Sequence, residues 1–391
     1  MLAFVEEGIR MVKSDDFYDI IVIGAGMAGA SVAAELAGER RVLLLEAEGR
    51  PGYHTTGRSA ALFTVAYGPP VIRALSRASL PIYLNPESPF VSHPLLKQRS
   101  VLFIARADQA GALADLSDEL GDAVRPIDPE RARAGMPLLR AGHVAGALLD
   151  ETAADIDVNA LHQHYLKMLT ARGGIVRTDS GVVGLGRGGD DWRVETRNGG
   201  FRAPIVVNAA GAWADEIAAM AGVSRIGLVP KRRTALLIDP PEGVVPDHPG
   251  VWPAVVDVDE QFYIKPDAGK LLISPADETP SVPCDAQPEE IDVAICIDRI
   301  ETAFDISVRR IEHKWAGLRS FVADKAPVAG YAPDAPGFFW LAGQGGYGIQ
   351  SAPALSRVAA ALVLRRPLPD EIAAEGVEPW MLGAERLGGG A

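Results

Sequence analysis

Three glycines with GxGxxG spacing, Gly24, Gly26 and Gly29, stand between an apolar run at 20–23 and a small-residue stretch that begins at Ala28. A second apolar run, 42–45, ends in Glu46. In a strand–turn–helix–strand unit each of these residues has a task. Gly24 makes the tight turn, Gly26 lets the backbone approach a pyrophosphate, and Gly29 lets helix and strand pack closely. The helix N-terminus offers unpaired N–H groups and a positive dipole end to the phosphates. Glu46 is placed to take both ribose hydroxyls. The whole context around the glycines is met, so the stretch reads as a dinucleotide site and not as a Gly-rich turn.

Three further segments are expected to complete that site. The loop RPGYHTTGRSAALFTVAYG follows the second strand and carries Thr55, Thr56, Gly57 and Ser59, with a short helix expected over 59–64. A buried strand at 205–207 runs into Asn208–Gly211 and then a helix, a second βα turn. Near the C-terminus, 338–366 repeats strand, glycine loop and helix, with Gly343, Gly345, Gly346 and Gly348. The nucleotide part is therefore read as three separated pieces of chain.

The segments between differ in character. Helices are expected over 71–84, 107–120, 128–136, 158–172 (with Asp157 as N-cap) and 291–304. The prolines 81, 86, 89 and 94 are expected to break the chain after the first of these. Strands are expected at 100–105, 145–149, 174–178, 181–185 and 192–196, the last followed by an NGG hairpin turn. Four strand-like runs, KRRTALLID, WPAVVDV, QFYIKP and KLLISP, have hairpin spacing and argue an antiparallel sheet.

The chain has 391 residues, which favours two domains, and its 48% apolar and 23% charged content is that of a globular protein. A formal charge of −13 disfavours nucleic acid or an anionic membrane as a partner. Two cysteines, Cys284 and Cys296, suit a reducing, cytoplasmic compartment and no disulfide framework. Neither metal-site spacing nor a bilayer-spanning run is present. The first sixteen residues lack signal-peptide features and read as a surface helix, or as an extension with Met11 the start; the GGGA tail reads as frayed.

Arg319 sits in the low-charge stretch WAGLRS, where a solitary buried arginine needs an anionic partner. That partner is either a structural acid or a bound carboxylate, to which arginine binds through two parallel N–H groups. Arg233 follows Lys231 and Arg232, and strand alternation puts Arg232 and Arg233 on opposite faces. Tyr67 and Tyr263 are equally compatible with core packing.

GAGMAGAS, GYHTTGRSA, VNAAGAWAD, PKRRTA, FYIKPDAG, WAGLRSFVAD and GQGGYGIQ together resemble the D-amino acid oxidase-like superfamily of FAD-dependent oxidoreductases, with bacterial D-arginine dehydrogenase the nearest subfamily. The resemblance runs from about Asp19 to Leu382. It implies an α/β chain with an α+β substrate part. A discontinuous Rossmann-type FAD domain would span 17–90, 150–228 and 322–385. A substrate domain on a mixed, largely antiparallel sheet would span 91–149 and 229–321. It implies non-covalent FAD, held by Gly24, Gly26, Ala28, Gly29, Glu46, Ala47, Thr55, Thr56, Gly57, Arg58, Ser59, Ala60, Leu62 and Val182, and by Gly345, Gly346, Tyr347, Gly348, Ile349 and Gln350. The helix after this last glycine run would face the flavin pyrimidine edge.

The resemblance places Arg233 and Arg319 near a substrate carboxylate and Tyr67, Tyr263 and Gln350 around the site, with no side-chain base. It implies hydride transfer from an amino acid α-carbon to flavin N5, giving an imino acid that hydrolyses to a 2-oxo acid and ammonia. Electrons would pass to a quinone or other carrier.

Two departures bear on specificity. Val101 stands where the subfamily has the acid that meets a guanidinium, and Leu62 where it has a histidine. With Ala254 and Val256 nearby, the pocket is expected to prefer neutral or apolar D-amino acids over D-arginine. The competing readings are an oxidase of glycine or N-substituted amino acids, a 2-hydroxy acid dehydrogenase, and a flavin-binding sensor without turnover.

Overall fold

The computed structural model describes residues 17–86, 88–246 and 252–388. The expected N-terminal helix or extension, and the last three residues of the tail, lie outside the described residues.

The apolar runs form the strands of a six-stranded sheet, in the order Val328–Tyr331, Phe338–Ala342, Ile205–Asn208, Ile20–Ile23, Val42–Leu45, Ile175–Arg177. Only Val328–Tyr331 runs antiparallel to its neighbour; the other pairings are parallel. The central strands are buried along their whole length because both faces are covered. Alternation divides them between two cores. Ile20, Val22, Val42 and Leu44 pack with the helices Met27–Leu36, Val158–Ala171 and Ala352–Val363. Ile21, Ile23, Leu43 and Leu45 pack against Trp192 and Val194 of a three-stranded antiparallel sheet and Ile217 of the helix Ala214–Met220. The six strands come from three stretches far apart in sequence, with Ile20 paired to both Val42 and Ile205.

A second, eight-stranded sheet runs in the order Ile311–Phe321, Val229–Ile238, Lys270–Ser274, Tyr263–Asp267, Ala254–Asp257, Val101–Ala105, Gly146–Asp150, Arg125–Ile127. Every pairing is antiparallel except that of Ala254–Asp257 with Val101–Ala105. The helix Glu290–Ala303 closes one face through Val293, Cys296 and Ile300. The helix Ala110–Leu120 approaches the other face beside Val101, Phe103 and Leu148. Asp157 caps the helix Val158–Ala171 by accepting from the Ala160 N–H at 2.8 Å.

One local expectation fails. The turn after Gly52 closes as a short 3-10 helix at Thr55–Arg58, not over 59–64, because the Gly57 amide already bonds the Gly52 carbonyl. The chain is extended at Ser59, and Leu62–Phe63 pairs with Asp155 and Ala154. The helix expected over 71–84 forms at Pro70–Leu84 with Pro81 inside it. Pro81 and Arg77 are both exposed, so water is available to the carbonyl that the missing proline donor leaves open. No helix among the described residues is long and apolar enough to cross a membrane.

Candidate active site

A cavity of about 470 Å³ opens where the carboxyl ends of Ile20–Ile23 and Val42–Leu45 meet the loops from Gly52, Ala209 and Gln344. Gly24 turns the chain with φ +99°, and a Cβ there would lie 2.5 Å from the Ala209 carbonyl. A Cβ on Gly29 would lie 1.8 Å from the Gly24 carbonyl, so the close crossing of helix and turn requires glycine. No side chain caps the helix Met27–Leu36, and Gly26, Met27 and Ala28 face the cavity. The Met27 amide donates to Thr56 Oγ1 at 2.9 Å. Glu46 accepts from the Ala25 and Glu48 amides at 3.0 Å each, and burial raises its pKa above the usual carboxylate value.

The Thr55–Arg58 turn is fastened to the strand that carries Arg319. Thr55 Oγ1 donates to the Leu318 carbonyl at 2.7 Å, Arg58 donates to Ala286 and Ala316, and Trp315 Nε1 donates to the Arg58 carbonyl. Ala47, Ser59, Ala60, Val182, Gly345, Gly346, Gly348 and Ile349 complete the expected part of the wall. Gly29 and Gly57 do not reach it; they are places of close backbone packing, Gly57 against the Gly52 carbonyl. The last helix follows directly on the glycine turn that lines this cavity. The Gly345–Ile349 turn meets the cavity, while the first turn of Ala352–Val363 is engaged elsewhere, with the Ala354 amide bonded to Ser79 Oγ at 3.0 Å.

A second cavity, about 400 Å³, adjoins the first. Ser59, Ala60, Arg233, Tyr263, Arg319, Gly346 and Ile349 line both. Tyr67, Leu62, Val101, Val256, Tyr347 and Gln350 line the second. Ala254 does not: it shares the face of Val256 but is covered in a cluster with Val101, Phe103 and Leu148. Gln350 is buried with its amide engaged, its Nε2 on Ser76 Oγ at 2.9 Å and its Oε1 near the Thr64 amide at 3.4 Å, so it fixes the wall more than it offers a free group.

Arg319 is half-buried, and its guanidinium meets Tyr67 Oη at 3.4 Å and packs beside Gly346. Among the described residues no carboxylate lies within ion-pair distance of it. Arg233 differs: its Nε donates to the Asp277 carbonyl at 2.9 Å, and its Nη2 lies 3.3 Å from Glu278. Arg232 points to the other face, where it meets Glu289 and Asp292. Burial raises the pKa of Tyr67, so its phenol stays protonated at neutral pH.

Sequence reasoning missed several wall residues. Ser320 Oγ, Gln344 Nε2 and His54 Nδ1 are buried polar atoms without a protein partner, and all three residues line the first cavity. Ser320 and Gln344 lay inside the quoted stretches WAGLRSFVAD and GQGGYGIQ. His54 pairs with Glu48 at 2.9 Å and lies against the Trp213 ring. Glu260, at φ +54°, lines the second cavity and acts electrostatically on Tyr67, Arg319 and Tyr347. Arg73, Phe103, Leu116, Glu119 and Leu120 also line it, and only ordinary helix or strand periodicity marked them.

The sequence model of the DAO family, FAD dependent oxidoreductase, matches residues 19–362. The chain belongs to that family. It is 28% identical over 277 residues to 4-methylaminobutanoate oxidase (formaldehyde-forming) of Paenarthrobacter nicotinovorans, covering 67% of this chain and 33% of that protein. It is 24% identical over 343 residues to mitochondrial sarcosine dehydrogenase of Homo sapiens, covering 82% and 37% respectively. The chain thus spans about a third of the length of these relatives. The crystal structure of glycine oxidase from Geobacillus kaustophilus superposes with a TM-score of 0.78 at 23% identity, over 90% of this chain and 96% of that one. The fold is that of this glycine oxidase. FAD fits the first cavity on its own evidence: a glycine-lined turn, an uncapped helix N-terminus, a buried ribose-type acid in Glu46, and polar atoms on Ser320 and Gln344 that await partners.

Proposed function

We infer that this FAD-dependent oxidoreductase oxidises α-amino acids, with D-amino acids of neutral or apolar side chain preferred over D-arginine. The products are 2-oxo acids and ammonia, and the electrons pass to an acceptor other than oxygen. The observation that carries this reading is Arg319. A cationic guanidinium at the junction of two cavities, with no carboxylate at ion-pair distance among the described residues, is an anion receptor, and an amino acid supplies a carboxylate of matching geometry.

When bound, FAD supplies the hydride acceptor. The chain's own residues orient and desolvate the substrate. Arg319 binds the carboxylate, and the protonated Tyr67 phenol beside it donates a second hydrogen bond. Arg233 adds positive potential but is partly neutralised by Glu278. Glu260 favours an amine on the same side of the pocket. Among the described residues no histidine lines the second cavity, and positioning and electrostatics carry the rate.

Beyond the carboxylate end, Leu62, Val101, Phe103, Leu116, Leu120 and Val256 form an apolar band. It supports a neutral side chain. The named relatives favour a second reading, oxidation of glycine or N-methylated amino acids. A cavity of about 400 Å³ beyond Arg319 is more than glycine needs, which supports the first.

The test is an anaerobic screen of D- and L-amino acids, glycine, sarcosine and 2-hydroxy acids for bleaching of the bound flavin, with oxygen uptake measured in parallel. Bleaching by neutral D-amino acids is expected. Bleaching by sarcosine or glycine alone would replace the first reading with the second.

A further inference from the structure

The outer end of the second cavity carries two opposite charges. Arg73, on the helix Pro70–Leu84, and Glu119, on the helix Ala110–Leu120, both line it, with Nη1 and Oε1 at 2.5 Å. Arg73 is largely buried (16% exposed) and Glu119 is exposed (56%), so the pair sits where the cavity reaches solvent. It is separated from Arg319 by the apolar band of Leu62, Val101, Phe103 and Val256.

The other charges around this cavity are held differently. Asp257 is bonded by Gln109 and lies 3.6 Å from Arg106, Asp324 is held by Arg386, and Arg233 and Lys325 both act on Glu278. Glu260 acts on the Arg319 end.

The geometry points to Arg73 and Glu119 as a specificity pair: each cancels the other, so the tip of the substrate side chain must be uncharged. Val101 lines the cavity as an apolar residue, and the cavity also carries an acid, Glu119, that a cationic side chain would otherwise use. Arg73 denies it that partner. Glu119 in turn keeps Arg73 from recruiting an acidic side chain. Selection against both charge classes follows from one ion pair, since exclusion here is a difference of affinities and not a steric wall. The favoured class is an amino acid whose neutral side chain is long enough to span the apolar band, such as D-methionine or D-leucine.

This inference rests on the amino acid reading above, and the experiment separates the two. The FAD-loaded wild type, Glu119→Gln, Arg73→Gln and the double variant are assayed for kcat/KM with D-methionine, D-lysine and D-glutamate, with FAD content measured for each. In Glu119→Gln the ratio for D-glutamate over D-methionine should rise about fivefold, and in Arg73→Gln the ratio for D-lysine over D-methionine should rise by about the same factor. The double variant should show neither rise. Ratios unchanged within about twofold in the single variants would overturn the pair's role while leaving the amino acid reading intact. No flavin reduction by any of the three in the wild type would overturn both. Because Glu119 is exposed, its substitution decides the matter alone if replacement of Arg73 prevents folding.

Discussion

Arg233 and Arg319 are diagonal neighbours on one face of two paired strands. Lys231 stands opposite Arg319, and Arg233 stands opposite Gly317. Two-residue steps keep both guanidinium groups on the cavity side. They are not equivalent, since Glu278 partners Arg233 and, among the described residues, no acid partners Arg319. Arg319→Met is therefore expected to lower kcat/KM for amino acids by about thirtyfold or more, equivalent to about 2–5 kcal/mol of transition-state binding. Arg233→Met should cost less. Steady-state kinetics on the two variants check the order, and an equal or larger loss at Arg233 would contradict it.

Gly29→Ala puts a methyl into the Gly24 carbonyl, so about 1–3 kcal/mol of stability should be lost, together with FAD retention. Gly26→Ala, where the nearest atom is Thr56 Oγ1 at 3.2 Å, should be milder. FAD content after gel filtration and the thermal midpoint compare them.

Ser320 and Gln344 face the cofactor cavity with unpartnered buried polar atoms. A buried polar group without a partner costs about 1–3 kcal/mol. Gln344→Leu should thus stabilise the apoprotein yet weaken FAD binding. Melting curves with and without FAD should shift in opposite directions. A parallel shift would mean that the amide has no cofactor role.

His162 Nε2 meets the Ala25 carbonyl at 3.0 Å, behind the first glycine turn, and burial lowers its pKa below 6.5. Between the folded value and 6.5 the unfolded chain binds a proton that the folded chain does not. Stability therefore rises with pH through that window and is lost as the pH falls below about 6.5. His164 and His143 are also lowered by burial and add to the slope. His162→Gln should flatten the dependence of the thermal midpoint on pH.

Val101→Glu would place an acid in the wall of the apolar band. The ratio of kcat/KM for D-arginine over D-leucine should rise by about tenfold. An unchanged ratio would mean that side chains do not reach Val101.

Much of this was legible from local pattern. The apolar runs flanking Gly24 had to be buried strands, and Arg232 and Arg233 had to part by alternation. What stayed hidden depended on contacts distant in sequence. The turn at Thr55, closed locally by Gly57 on Gly52, is anchored in place by hydrogen bonds to Leu318 and Ala316. Pro81 is tolerated because its helix face is open to water. Ala254 has the right parity for the cavity but is covered by residues from other strands. Glu119 and Arg73 meet only because two helices from different parts of the chain converge, and neither sits in any motif.

The pairing of Ile205–Asn208 between Ile20–Ile23 and Phe338–Ala342 has a consequence for biogenesis. The sheet that frames the cofactor cavity receives an interior strand only after Phe338–Ala342 has been made, long after Ile20–Ile23. A nascent polypeptide ending before Phe338 leaves the Ile205–Asn208 edge bare and lacks the Gly345–Ile349 wall. Cofactor capture is thereby deferred until that segment has emerged, and a product terminated before it exposes a β edge prone to aggregation.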